Sequence, residues 1–361
     1  DKDTLNELGN EFKNSIKKLE DEIYDIAGEK FNINSPKQLG VILFEKMGLK
    51  VVKKTKTGYS TNIEVLEKLR NDSPIIDKII EYRQIAKLNS TYVEGLFSII
   101  NELDGRVHSS FNQTITTTGR ISSTEPNLQN IPVKLDIGRN IRKVFVSNEN
   151  YTLVDADYSQ VELRVLAHMS NDETMIEAFK NNEDIHTKTA SQVFDVSMSD
   201  VTLKQRSEAK AINFGIVYGK TDFGLSDDLG IPLKQYIDSY FNKYSNIKEF
   251  MDEVLIFAQN EGYVKTILNR RRYIPEINSN NFMVKNAGKR AAMNAPIQGS
   301  AADIIKIAMV NVYKKLKKEK QSVSKQISVK NIVKSEMENA FNMVVNLDVD
   351  LNVGKSWYET K

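Results

Sequence analysis

Cysteine is absent from this chain of 361 residues, so neither a disulfide scaffold nor a thiolate metal centre is available to it. No run of about eighteen apolar residues occurs, which excludes a membrane-spanning helix and makes a membrane partner unexpected. A dominant charge sign is lacking too. Fifty Lys and Arg face 48 Asp and Glu, for a net charge of +2, which neither demands nor excludes a nucleic-acid partner. No internal repeat or low-complexity segment is visible. The first residues, Asp1 to Asn10, are acidic and helix-like, unlike a signal or transit peptide. With 40% hydrophobic residues, the chain is long enough for two or three domains with sizeable cores.

Residues 1–105 read as mostly helical. Leu5, Leu8, Phe12, Ile16 and Leu19 recur at helical spacing, and Ile23 and Ile26 continue the stripe. Ser35-Pro36 supplies a cap and a proline at the first helical position, predicting a helix over Lys37–Met47. Lys50 to Tyr59 is basic and turn-prone, either a solvated loop or a phosphate-binding patch. Two more helices fit 62–71 and 74–100. From Gly105 the texture changes. Residues 107–115 and 151–157 alternate like strands, helices dominate 159–244 and 286–318, and a helix near 329–341 precedes a strand at 347–353. Helices embedded between separated strands predict an α+β body, not a doubly wound sheet. No glycine-rich phosphate loop follows any strand.

Three groups of residues carry potential chemistry. Asp157 ends a strand, and Ser159 begins a Ser-x-x-Glu capping box opening a helix. A carboxylate there is placed to hold a divalent cation, or else the segment is an ordinary junction in which Glu162 only caps. Arg206, Lys210, Phe214 and Tyr218 sit four apart after the capping pattern Thr202-x-x-Gln205, so they share one broad helix face. The two cations come first, near the positive end of the helix dipole. The aromatics follow, offering flat surface to a base or sugar. Such a helix is either a nucleotide clamp or an amphipathic surface helix. Arg290, Asn294 and Gln298 repeat the four-residue step around Pro296, a set suited to phosphates and base edges or to a plain surface. The polar stretch 117–132 could line a groove, or satisfy its own loop.

Together, Asp157-Tyr-Ser-Gln-Val-Glu-Leu-Arg164, Arg206-x3-Lys210-x3-Phe214-x3-Tyr218-Gly219, the 118–132 stretch and Ala295-Pro-Ile-Gln-Gly-Ser-Ala-Ala-Asp-Ile-Ile-Lys306 resemble the family A DNA polymerases, in family order over nearly the whole chain. The resemblance implies a right-hand architecture, mostly helical with an antiparallel palm sheet. Residues 1–104 would form the thumb, 105–171 the first part of the palm, 172–277 the fingers and 278–361 the rest of the palm. It implies template-directed addition of deoxynucleotides to a primer 3′ end by phosphoryl transfer with two magnesium ions. The partners are then primer–template DNA and deoxynucleoside triphosphates, the chain acting as a monomer.

Residue by residue, Asp157 resembles a metal-binding aspartate, with the Tyr158 carbonyl as a further ligand. Arg206 and Lys210 resemble catalytic contacts to the incoming triphosphate, joined by His186. Phe214, Tyr218 and Gln160 resemble nucleotide contacts, and Glu162 the steric gate against a ribose 2′-hydroxyl. Arg120, Asn127, Gln129, Asn130, Arg290, Asn294 and Gln298 match positions that touch primer and template. Lys53, Lys54 and Lys56, with Asn89-Ser-Thr-Tyr92, resemble contacts to duplex phosphates. Phe214 in place of tyrosine implies poor use of dideoxynucleotides. The Lys- and Asn-rich wording is similar to plastid members of the family in apicomplexan parasites, implying an apicoplast location and otherwise an intracellular one.

One departure matters. The family's second catalytic motif, a hairpin carrying His-Asp-Glu, belongs between the last two long helices. Here that interval reads Gln321-Ser-Val-Ser-Lys-Gln-Ile-Ser328, with no His, Asp or Glu and too few residues for a hairpin. Two readings stay open: the natural chain holds a further segment there, or the hairpin is lost and the protein binds primer–template without synthesis. Asp348 and Asp350 alternate on the last strand and read as its solvent face. No exonuclease domain with paired acidic motifs is found in these residues, although a fused one preceding them is compatible with the resemblance.

Overall fold

The computed structural model describes residues 1–56, 58–132, 136–217, 219, 234–319 and 326–360. The chain divides into two compact units, one of residues 1–111, 123–153 and 353–361 and one of residues 112–122 and 154–352.

The first unit is built on α1 (Lys2–Ala27), which Asp1 caps by accepting from the Asp3 and Thr4 amides and Gly28 ends in the left-handed region. Leu5, Leu8, Phe12, Leu19 and Ile23 are buried, whereas Ile26 turns out 38% exposed. Ser35 caps α2 (Pro36–Gly40), and the helix then widens over Val41–Lys46 instead of running on as a regular α-helix. The basic segment forms a two-stranded turn, β1 (Lys54–Thr55) with β2 (Gly58–Tyr59). Then come α3 (Ile63–Lys68) and α4 (Pro74–Leu88), which packs along α1 through Ile75, Ile76, Ile79 and Ile80. Burying each such side chain contributes about 1.5–3 kcal/mol.

The strand expected over 107–115 is only β3 (Ser110–Asn112). Phe111 is 62% exposed, so the alternation has no buried face to settle on. A second short strand, β4 (Ser122–Thr124), follows.

In the second unit, β5 (Leu153–Tyr158) forms a two-stranded sheet with the final strand β8 (Val349–Gly354). After β5 come α5 (Val161–Ser170), α6 (Glu173–Lys180), α7 (Ile185–Phe194) and α8 (Leu203–Val217). Beyond them lie α9 (Lys234–Lys243) and α10 (Ser245–Glu261), and the hairpin β6 (Tyr263–Lys265) with β7 (Arg271–Tyr273). The 38-residue α11 (Phe282–Glu319) and then α12 (Gln326–Glu338) complete the helices named here. Their core joins Leu163, Val165 and Leu166 of α5 to Met175, Ile212, Ile216, Tyr240, Ile297 and Ile304. The fold is thus α+β, mostly helical with small two-stranded sheets.

Candidate active site

The N-terminus of α8 is closed as its sequence predicts. The Gln205 amide donates to Thr202 Oγ1 at 3.2 Å while Gln205 Oε1 accepts from the Thr202 amide at 2.9 Å, a reciprocal capping box. This fixes Arg206, half-buried, and Lys210, exposed, on the helix that also carries Phe214. Alongside lies α7, whose first turn holds His186. The His186 and Phe214 rings are 5.8 Å apart. Tyr218, the fourth residue of the expected clamp, lies outside the described residues.

Asp184 caps α7 and ties the two helices together. It accepts from the His186 amide at 3.0 Å, the Thr187 hydroxyl at 3.0 Å and Arg206 Nε at 2.6 Å. Burial opposes its ionisation, but those donors outweigh burial and hold its carboxyl below the usual range. His186 shows the opposite balance. Burial above all pushes its imidazole down to about 4, Asp184 works against that, and Lys210 and Arg206 reinforce it.

A buried polar chain stands behind His186. Asn213 Nδ2 lies 3.1 Å from His186 Nδ1 and 3.1 Å from Thr189 Oγ1, which is 3.2 Å from the Tyr244 hydroxyl. Asn213, Thr189 and Tyr244 are fully buried, and His186 is 3% exposed. With the amide donating to Nδ1, the neutral ring carries its proton on Nε2, the tautomer able to donate to an anion. Sequence reading missed Asn213, Thr189, Tyr244 and Asp184. A polar residue among Ala209, Ile212 and Ile216 on one helix face was the available signal for Asn213. For Asp184, it was an aspartate just before a helix.

Glu162 is placed otherwise than expected. Gln160, with φ 55°, occupies the N-cap of α5 and no side chain caps the helix, so the Ser159-x-x-Glu162 capping box does not form. Glu162 instead accepts from Arg120 Nη2 and is 8% exposed, which brings a predicted DNA contact onto the predicted sugar gate. The next residue but one, Arg164, is 8% exposed. It donates to Ser159 O at 2.9 Å and Asn346 O at 2.6 Å, with its guanidinium over the Phe179 ring. These contacts fix α5 against the segment leading into β8.

Asp157 is exposed at the penultimate position of β5. The neighbouring Tyr158 side chain is buried, donates to Met337 O at 2.8 Å, and has its phenol pushed well up by burial. Asp348 and Asp350 are exposed, as their alternation predicts. Among the described residues no group of three or more His, Asp or Glu is disposed to hold a metal ion. One carboxylate and a carbonyl do not compose a two-ion site.

On α11, Arg290 is exposed, Asn294 half-buried and Gln298 9% exposed. Gly219, with φ +62°, packs so tightly against this helix that a Cβ would stand 3.0 Å from Arg290 Cα. The end of α8 therefore lies on α11 beside Arg290. The remaining predicted contacts belong to the first unit. There the Asn127 side chain caps the turn 128–130 by accepting from the Gln129 amide at 3.0 Å. The Asn130 carbonyl accepts from the Tyr92 hydroxyl. Lys53, Lys54 and Lys56 are exposed, with Lys54 over the Tyr59 ring at 5.6 Å. Asn89, expected near duplex phosphates, is instead buried and donates to Glu94 at 2.9 Å.

Residues 2–359 match the sequence model of the family described as DNA polymerase family A. DNA polymerase I of Caldicellulosiruptor bescii is 52% identical over 380 residues, covering 100% of this chain and 45% of its own length. That of Bacillus subtilis is 51% identical over 381 residues, covering 100% and 43%. This chain spans less than half the length of these curated relatives, which are bacterial. A solved structure titled "POL domain of Pol1 from M. smegmatis complex with DNA primer-template and dNTP" superposes with a TM-score of 0.93 at 39% identity, covering 100% of this chain and 67% of that one. The chain belongs to DNA polymerase family A.

Proposed function

We propose that this chain performs template-directed DNA synthesis, adding deoxynucleotides to a primer 3′ end. The observation that carries the reading is the cluster on α7 and α8: Arg206 anchored by Asp184, Lys210 one turn on, and a neutral His186 beside the Phe214 ring. Arg206 and Lys210 would hold the triphosphate, His186 would donate Nε2–H to it, and Phe214 would carry the base. Glu162, gripped by Arg120, would close the sugar side against a 2′-hydroxyl. Arg290, Asn294, Gln298, Asn127, Gln129 and Asn130 would touch primer and template, and Lys53, Lys54 and Lys56 the duplex phosphates. The protein would then read shape, phosphates and the degenerate minor groove, while template bases choose the nucleotide. An apicoplast location remains part of the proposal on wording alone.

Magnesium enters this proposal only together with a further carboxylate, since Asp157 and Tyr158 do not complete a two-ion site. Two observations support an additional internal segment in the natural chain. The match to the C. bescii polymerase spans 380 positions against 361 residues here, a difference of 19 within the matched span. In addition, Ile305, Met309, Val310 and Tyr313 stand 39–65% exposed on α11, an apolar stripe leading toward 320–325, which lie outside the described residues. The second reading, a primer–template binder without synthesis, is favoured by the carboxylate-free interval 321–328. Primer extension with magnesium, together with peptide sequencing across Lys320 to Val329 of the natural protein, tests both. Extension and additional residues are expected. A chain that joins these residues as written and binds DNA without extending it would refute synthesis and leave the binder.

A further inference from the structure

Arg270, on the turn between β6 and β7, is unclaimed by the resemblance, yet its guanidinium ties that turn to two other segments, the loop at Thr118 and α11. Nε donates to Asp303 Oδ1 at 2.9 Å, and Nη2 donates to Thr118 O at 2.8 Å and to Gly299 O at 3.1 Å. Its backbone is fixed in turn. The Arg270 amide donates to Thr266 Oγ1 at 3.2 Å, and the Ile267 amide donates to Ser300 Oγ at 2.8 Å.

Two glycines reserve the space. A Cβ on Gly119, whose φ is +81°, would lie 2.6 Å from Arg270 Nη2. One on Gly299 would lie 3.0 Å from that atom and 2.6 Å from Thr266 Cγ2. The guanidinium is thus held between two bare backbones. A lysine carries its three donors on a single nitrogen and lacks the planar fork that spans these acceptors.

What it joins is informative. Gly119 precedes Arg120, the partner of Glu162, and Gly299 follows Gln298, buried on α11. We propose that Arg270 is a positioning residue that sets the spacing between Arg120 and Gln298, and so the ability of the site to tell a paired primer terminus from a mispaired one. The reading rests on the proposed function, in which those two side chains touch the primer–template. Acting through backbone carbonyls, Arg270 itself need touch no nucleotide.

The test is equilibrium binding, which requires no synthesis. Fluorescence anisotropy would compare primer–templates with a matched and a mismatched 3′ terminus, using the wild-type protein, Arg270→Lys, Gly119→Ala, Arg120→Ala and the double variant Arg270→Lys/Arg120→Ala. Arg270→Lys and Gly119→Ala disturb the same contact from opposite sides. Both are expected to lower the matched-to-mismatched affinity ratio by about tenfold, the size of one positioned hydrogen bond. The double variant should lose no more than Arg120→Ala does, because the spacing that Arg270 sets has no effect on discrimination once the Arg120 side chain is gone. A merely structural role would weaken both DNAs equally and leave the ratio intact. Circular dichroism confirms that each variant is folded. If the wild-type protein prefers the matched terminus and Arg270→Lys and Gly119→Ala retain that preference, or if the effects add, the positioning role is overturned while the functional reading stands. If the wild-type protein shows no preference, the functional reading falls and this inference with it.

Discussion

Neutral His186 has a consequence in the acid range. The unfolded chain takes up this proton near pH 6.5, whereas the folded one does so only near 4, because the ring is buried beside Lys210 and Arg206 with Asp184 as the opposing charge. The unfolded state therefore binds more protons between those values, so stability present above pH 6.5 is lost as pH falls toward 4. The full difference is about 3 kcal/mol, of which about 2–3 kcal/mol is lost by pH 4.5. His186→Asn places an amide oxygen where Nδ1 accepts from Asn213 and removes the titration. Urea unfolding followed by far-UV circular dichroism at pH 7, 5.5 and 4.5 should show the wild-type protein weakening relative to this variant by that amount. Groups common to both proteins, including buried Asp172 and half-buried His168, cancel in the difference. Hydrogen exchange of the α7 and α8 amides should locate the loss there. Parallel weakening of the two proteins, or a His186 ring that titrates near 6.5 by nuclear magnetic resonance, would refute the reasoning.

Three further outcomes are expected. Glu162→Ala opens the sugar side and should admit ribonucleotides in primer extension; unchanged sugar selectivity would remove the gate assignment. Lys210→Ala should raise the KM for nucleotide and lower kcat, reducing kcat/KM on the order of 10²-fold, and an unaltered ratio would make it a plain surface lysine. Arg164→Met withdraws a charged donor from Ser159 O and Asn346 O, at about 1–3 kcal/mol for each of these charge-assisted bonds, so urea unfolding at neutral pH should show a clear drop in midpoint. A midpoint equal to wild type would mean that the hydrophobic replacement and the Phe179 ring offset both losses.

Much of this was legible where a local pattern and a tertiary role coincide. The apolar stripe of α1 and the proline after Ser35 appear in the fold as the periodicity predicts. The four-residue step from Arg206 to Phe214 also lies along one helix. What was not legible depends on residues far apart in the chain. Asn213, Thr189 and Tyr244 matter to His186 only because α7, α8 and the segment between α9 and α10 pack together, and no spacing rule spans that distance. Arg270 is similar, since its three acceptors come from a loop near residue 118 and two turns of α11.

The two capping patterns show why one local signal holds and another fails. Thr202-x-x-Gln205 and Ser159-x-x-Glu162 have the same form, and in isolation each would close a helix by reciprocal bonds. At 202–205 Thr202 is exposed and Gln205 half-buried, no other side chain among the described residues bonds to them, and the box forms. At 159–162 the Glu162 carboxylate is buried, where a bare charge is costly unless paired with a donor of opposite sign. Arg120 supplies that donor. Pulling Glu162 toward Arg120 takes it away from the helix end, and Gln160 enters the left-handed region to start α5 without a side-chain cap. A non-glycine residue in that region costs on the order of 1 kcal/mol, less than an unpaired buried carboxylate would. A capping pattern that fails beside a half-buried ion pair thus marks a competing tertiary contact: here the uncapped helix start and the carboxylate proposed to face the sugar lie on the same first turn of α5.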